Sequence, residues 1–470
     1  MVHMEKLYIP LLNSIYNKIT CHFNRDLRLV LIAMCIAVMN GFLFFGFSPS
    51  ELNAVKCETM NAVLISLITI FSLNGNLKSI EWNKAVYYPF VFFGFIVLVI
   101  SFIHRTGLVL LAIEYILLLP ALYCVWLNRE DTYVLFNITS ITIVLEGFIH
   151  FVYCFFLSEQ AKAFIVSDRY AGNAGGPNQF GEIGAVIFIA GLYIFIAYRK
   201  GIAGCILSST GIGIGISYIL VSSCRTAMLA EIVCILSAVI YSIKLYIIRK
   251  DFTKKRLVHA IVAVLLTGGI IFTGQQLDNI YYKSLQRQNE VTYSSELEQD
   301  NSDAAEEITE AEQPEDLPEE NNTTSISDRF SFNGDINALS SGRIAIWKFY
   351  IDHFSPWGHD DFCEPGKSVE DKVYPLPAHN NIIEYTYRCG YLAGGIYLVL
   401  FIAIGISGLR MLFLRKHAEY YKILCIMCIA AFSVYALIEW SHILTRPVTC
   451  LYHLALIPIM GDAKRLSQGS

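Results

Sequence analysis

The chain is poor in charge. Only 16% of its 470 residues are Asp, Glu, Lys or Arg, where soluble domains carry roughly 25%. That shortage excludes an ordinary water-soluble domain. Its 13 cysteines lack the spacing of a metal site. Cys425 and Cys428 do form a CxxC, but inside an apolar run, where cysteine acts as a small hydrophobe. No clustered set of Asp and Glu offers metal ligands, and no cofactor is expected. No clear internal repeat relates the two halves, so the usual sequence mark of a secondary transporter is missing. No cleaved leader is read at the start. Lys18, Arg25 and Arg28 lead into a full-length apolar run, the pattern of a retained first helix. No nucleic-acid partner is expected, and the formal net charge of −5 is set by one acidic stretch, without which the chain is basic.

What is abundant is apolar: 55% of residues are hydrophobic and 13% aromatic. A hydrocarbon core of about 30 Å needs roughly 20 apolar residues per helix. Twelve runs approach that length: 28–48, 58–74, 85–103, 107–127, 132–157, 181–198, 201–222, 224–247, 257–274, 389–410, 420–440 and 443–460. The expected fold class is therefore all-α, a polytopic membrane protein with about 12 transmembrane helices. Basic clusters at Arg25/Arg28, Lys78/Lys84, Arg199–Lys200, Arg249–Lys250 with Lys254–Lys255–Arg256, Arg410/Arg415–Lys416 and Lys464–Arg465 set the orientation through the positive-inside bias. Twelve spans with both termini cytosolic put all of them on the cytosolic side and leave 158–180, 222–225, 275–388 and 441–447 outside.

The chain then divides into an N-terminal bundle of about nine helices (1–274), an extracytoplasmic loop with short helices (275–388) and C-terminal transmembrane helices (389–470). Within the loop, Glu290 to Asp328 holds fourteen acidic residues and no basic one. The insertion 288–328 has too little apolar content to offset its ordering entropy and is expected to be a disordered spacer. Cys363 and Cys389 both lie outside and are candidates to pair in an oxidising compartment.

Ionisable groups inside spans are costly and are functional candidates by default; here they are Glu114, Glu146 and Glu231. Glu146 and His150, four residues apart, share a helix face. They suit either a proton relay or, preferably, a structural pair between helices. The outer face is richer. SDRYAGNAGGPNQFG carries Arg169 and Asn178, and SSCRTAM carries Arg225 at the end of a span, where a lone arginine would merely snorkel. Ser340 or Ser341 is placed to cap a helix starting near Arg343.

Downstream, PLPAHNNIIEYTYRCG forbids helix before Ala378 through Pro375 and Pro377. Asn381 followed by Glu384 resembles a capping box with the helix starting at Ile382, although either residue, like Asn380, could instead contact substrate. His379 has no structural task in this scheme. A helix N-terminus behind it favours a neutral imidazole able to accept a proton. Three arginines and one histidine make a site for a polyanion that needs no metal, such as a lipid-linked pyrophosphate.

The ordered set PNQFG (177–181), SCR (223–225), SGRIAIW (341–347), HFSPWGHDDF (353–362) and AHNNIIEY (378–385) resembles the O-antigen ligase/Wzy-type polymerase superfamily, over roughly residues 160–410. The resemblance implies a GT-C-like, metal-independent membrane glycosyltransferase in the bacterial cytoplasmic membrane, its active site on the extracytoplasmic face. It implies Arg225, Arg343 and His379 as catalytic residues and Arg169 and Asn178 as substrate-binding, with Asn380 and Glu384 as further contacts. The implied partners are an undecaprenyl-pyrophosphate-linked oligosaccharide and membrane lipid, with a chain-length regulator and a flippase as candidate proteins. The chain departs from the family pattern at Asp360, where glycine is common, and in the acidic insertion. Within the family, the extended outer loop favours a polymerase of O-antigen, capsule or exopolysaccharide repeat units. The alternative is a ligase that moves the finished glycan onto lipid A–core or another acceptor. A third reading is a 12-span transporter of an anionic solute; it would need its essential charges near the bilayer centre.

Overall fold

A computed structural model describes residues 5–19, 23–45, 51–104, 108–163, 165–166, 169–198, 201–249, 264–277, 343–359, 377–414, 418–439 and 443–461. Nearly all of these lie in helices. The sheet among them is one antiparallel pair, Ile165–Val166 with Arg169–Tyr170. An apolar run in a membrane has no water to bond its backbone groups, and a helix satisfies them within the segment.

Among the described residues, eight helices are long and apolar enough to cross a membrane: Arg25–Phe45, Lys84–His104, Val109–Leu127, Thr132–Leu157, Pro177–Ala197, Gly201–Ser222, Arg225–Arg249 and Asn381–Phe413. Phe102, Ile235 and Val399 stay exposed on their outer faces, as lipid-facing residues of a multi-pass membrane protein do. Each helix falls on an expected span, although the last starts well before residue 389.

The other four expected spans differ in kind. The run 58–74 belongs to the longer Glu51–Phe71 helix, whose first turns carry Glu51, Lys56 and Glu58. The run 257–274 overlaps the short apolar helix Val264–Leu277, and 420–440 the 17-residue helix Lys422–Ile438. The run 443–460 is not one helix. It is a 3₁₀ turn at Ile443–Thr445, then Pro447–Ala455 and Ile457–Met460. Its last two pieces are buried along their whole length; broken backbone at membrane depth is tolerated when protein encloses it. An additional helix, Glu5–Ile19, precedes the first span and was not foreseen; its Asn13 side chain bonds both backbone groups of Leu77.

The two ends of the bundle are chemically different. At one end Arg129 and Arg25 pair with Asp131 at 2.7 and 3.2 Å. Burial pushes the Asp131 carboxyl up, but Arg129 and Arg25 outweigh it and hold it below its ordinary value. Lys244 and Arg249 donate there to the carbonyls of Met411 and Ala418 at 2.7 and 3.1 Å. The opposite end gathers the starts of the Pro177, Arg225 and Asn381 helices with the ends of Gly201–Ser222 and Lys422–Ile438.

Close approach positions this second end. Gly184 and Gly191 of one helix face Gly215 and Gly211 of the next. A Cβ on Gly191 would lie 2.6 Å from the Ile212 nitrogen, and one on Gly215 2.7 Å from the Gly184 carbonyl, so small residues let the two backbones touch. The Asn381–Phe413 helix breaks at Gly390, where φ is 84°. Its first part, 381–389, therefore sits at the end of the bundle, and the span proper follows.

Candidate functional site

Glu439 is the centre of the site. It is the residue past the end of the Lys422–Ile438 helix, in extended backbone. Its Oε2 lies 3.0 Å from His379 Nδ1, and its Oε1 pairs with the Arg343 guanidinium. The same Oε1 accepts from Asn178 Nδ2 and from the Thr226 hydroxyl, both at 3.3 Å. Burial raises the carboxyl, but the hydrogen bond from His379 and the nearby Arg343 and Arg446 guanidinium groups outweigh it and hold Glu439 below the ordinary carboxylate range.

Each partner is delivered by a different element. Tyr170, buried and stacked on Phe155 with centroids 5.1 Å apart, roots the short strand that carries Arg169. The Arg169 Nε donates to Ser222 O at 2.7 Å and its NH2 to Asn178 Oδ1 at 2.8 Å. Ser222 ends a helix, so its carbonyl has no intrahelical donor, and a cation there also suits the helix dipole. Arg225 opens the next helix, half-buried, one residue before Thr226. Between these helices Ser223 takes φ 47°.

Arg343 opens the Arg343–Asp352 helix, close to the expected start; Ser340 and Ser341, expected to cap it, lie outside the described residues. That helix is pinned by Trp347, whose Nε1 donates to Ala378 O at 2.7 Å, and by buried Tyr350 edge-on to Tyr387 at 4.8 Å. Beyond it, Gly358 (φ 82°) and Gly390 (φ 84°) interlock. A Cβ on either would strike backbone of the other's segment, at Arg388 or Pro356. Cys363, Asp360 and the insertion 288–328 lie outside the described residues; Cys389 is buried.

The turn before the 381–389 helix corrects the expected capping scheme. Asn380, not Asn381, is the cap: its Oδ1 accepts from Ile382 and Ile383 N–H at 3.0 and 3.1 Å. Its Nδ2 donates to Leu437 O at 3.1 Å, so one side chain closes two helix ends. Asn381 is buried and donates to the Tyr397 hydroxyl at 3.2 Å. Glu384 is 0% exposed; it accepts from Ala378 N–H at 2.8 Å and pairs with Arg388. Asn380 and Glu384, expected as substrate contacts, thus hold the turn that presents His379. His379 itself takes φ 49°, a left-handed conformation uncommon outside glycine, which histidine adopts more readily than most side chains.

The structure therefore joins Arg169, Asn178, Arg343 and His379 through a carboxylate that the sequence reading did not single out. The available signal was an ionisable residue closing an apolar run, hidden because Glu439 fell inside the expected span 420–440. Arg446 was also missed; it bonds buried Glu182 at 3.3 Å, whose other oxygen accepts from Val448 N–H at 3.2 Å.

Glu146 and His150 do not form a pair. Buried His150 places Nδ1 2.8 Å from the Tyr218 hydroxyl and Nε2 2.6 Å from Asn173 Oδ1, so it fastens the 171–176 loop to the bundle. Its structural reading stands on those partners. No protein-family model matches the chain, and no curated protein matches it.

Proposed function

We propose that this end of the bundle is the active site of a GT-C-like glycosyltransferase, a polymerase of lipid-linked glycan repeat units. The observation that carries the reading is His379, in left-handed backbone, with Nδ1 on Glu439 beside Arg343. A neutral imidazole donating Nδ1–H to a carboxylate leaves Nε2 as an acceptor. A sugar hydroxyl of the acceptor attacks the anomeric carbon of the donor glycan and loses its proton to Nε2. The bond from that carbon to the phosphate oxygen breaks, and its electron pair leaves with the lipid pyrophosphate. Arg343, Arg225 and Arg169 offset the charge that develops on the leaving group. In this reading Glu439 orients the histidine and keeps Arg343 in place until the pyrophosphate arrives.

The lipid-linked substrate requires the site at a membrane face, and the reading places it on the extracytoplasmic face of a bacterial cytoplasmic membrane. It takes all twelve apolar segments as crossings, the broken 443–460 segment among them, with both termini cytosolic. The donor is an undecaprenyl-pyrophosphate-linked oligosaccharide; a flippase would supply it, and a chain-length regulator would set when growth stops. A transporter is disfavoured because His150 is spent on Tyr218 and Asn173, while the gathered charges sit at one end rather than midway.

The test is His379→Ala in a host whose surface glycan depends on this chain, with protein level checked. Loss of the glycan ladder on a gel is expected, and an unchanged ladder would remove His379 from the reaction. In a null strain, single repeat units on the acceptor indicate the polymerase. Long chains stranded on the lipid carrier would indicate a ligase instead.

A further inference from the structure

The turn that follows the Arg343–Asp352 helix comes back to the ends of two membrane-crossing helices. His104, in the last turn of the Lys84–His104 helix, donates from Nε2 to Trp357 O at 2.8 Å. Tyr391, the first residue after the Gly390 break, donates its hydroxyl to Phe354 O at 3.3 Å and meets the Phe354 ring edge-on. Gly358 and Gly390 interlock beside these bonds. The turn is therefore fixed at the level where one span ends and the span after Gly390 begins.

The side chains at that level are bare. Trp357 is 64% exposed and Phe102 70%, and Ile103, Tyr391 and Leu392 are exposed with them. Phe95, Val99 and Phe102 are all exposed at helical spacing, as are Leu392, Val399 and Ile402, so each set runs along one helix face. The two helices pack side by side. The bare level is thus the end of two strips that face lipid, rather than an island on a water-facing surface. Tryptophan and tyrosine concentrate where acyl chains meet headgroups, because the ring is apolar while its N–H or O–H finds a polar partner.

We propose that Trp357, together with Phe102 and Tyr391, docks the 353–359 turn onto the lipid leaflet at the Glu439 end, with the indole at the boundary between headgroups and acyl chains. The turn continues directly from the Arg343–Asp352 helix, so the leaflet helps to hold that helix against the bundle. A second copy or another protein would have to seat on strips that run on into hydrocarbon, whereas lipid covers them without a specific fit. The proposal does not rest on the glycosyltransferase reading; it takes from the fold only that these helices cross a membrane.

The test is tryptophan fluorescence of the full-length purified chain in phosphatidylcholine vesicles. Trp82, Trp126, Trp347 and Trp440 also emit, so the signal of Trp357 is the difference between the wild type and Trp357→Phe. Lipid brominated near the headgroup end of its acyl chains should remove most of that difference. Lipid brominated near the chain ends should remove less, and aqueous acrylamide little. Leu392→Trp adds a reporter at the same level; its added emission should follow the same pattern, and it carries the test if Trp357→Phe cannot be purified. Quenching by acrylamide with none from brominated lipid would put the turn in water and overturn the proposal. Quenching by neither would show that protein covers the patch, and stronger quenching by the deeper bromines would bury it in hydrocarbon. Each of these results overturns the proposal as well.

Discussion

At the scale of residues, one carboxylate organises the candidate site, and its substitutions separate chemistry from structure. His379→Gly relieves the left-handed backbone, which glycine adopts without penalty, but removes the ring. The expected outcome is a protein that accumulates and unfolds near the wild-type temperature, while glycan transfer falls by about 10²–10⁴, the usual share of a general base. Retained transfer would show that the histidine only shaped the turn. Arg343→Lys keeps the charge but loses the planar fork that engages phosphate oxygens in pairs. Transfer from a lipid-pyrophosphate donor should drop, with Tm little changed. Glu439→Ala leaves Arg343 and His379 facing each other without their shared counter-charge. Proteolysis should then cut more readily near the Arg343–Asp352 helix than in the wild type.

At the scale of elements, the site depends on helix ends that finish each other. Asn380 caps the 381–389 helix and takes up the Leu437 carbonyl at the end of another. Asn380→Ala should cost about 1 kcal/mol for the cap alone, seen as a lower Tm, and should reduce transfer by loosening His379 against Glu439. Gly390→Ala places a Cβ against the Pro356 carbonyl at a positive φ, so the 353–359 turn should detach and become protease-sensitive.

The sequence made several of these elements legible. Pro377 stops the loop, the helix near Arg343 exists, and eight expected spans are long apolar helices. It did not say which of two adjacent asparagines caps, because both are good caps and the backbone angle at Asn380 decides. Nor did it show that 443–460 is broken, because an apolar run has the same hydropathy whether it faces lipid or protein.

At the scale of the whole molecule, the basic end and the Glu439 end lie on opposite sides of the bundle. The positive-inside bias then predicts which one faces the cytosol. In a Cys363→Ser background, with an exposed cysteine at Glu159→Cys near the site end or at Asp26→Cys near the basic end, an impermeant thiol reagent should label the first in intact cells. The second should label only after permeabilisation, and the reverse pattern would invert the topology. The glycine seam between the Pro177–Ala197 and Gly201–Ser222 helices keeps that end compact. Gly191→Leu should force the two backbones apart and lower Tm.

By itself the sequence determined that this is a helical, multi-pass membrane protein. Apolar runs of that length have one economical way to satisfy their backbone groups, and that choice is local to each segment. It also set out, in chain order, most of the polar residues that gather at one end. Only the tertiary structure decided that they converge on Glu439 and that Asn380 and Glu384 brace the turn that presents His379. Those relations depend on which helix ends become neighbours, and that follows from packing between segments far apart in the chain.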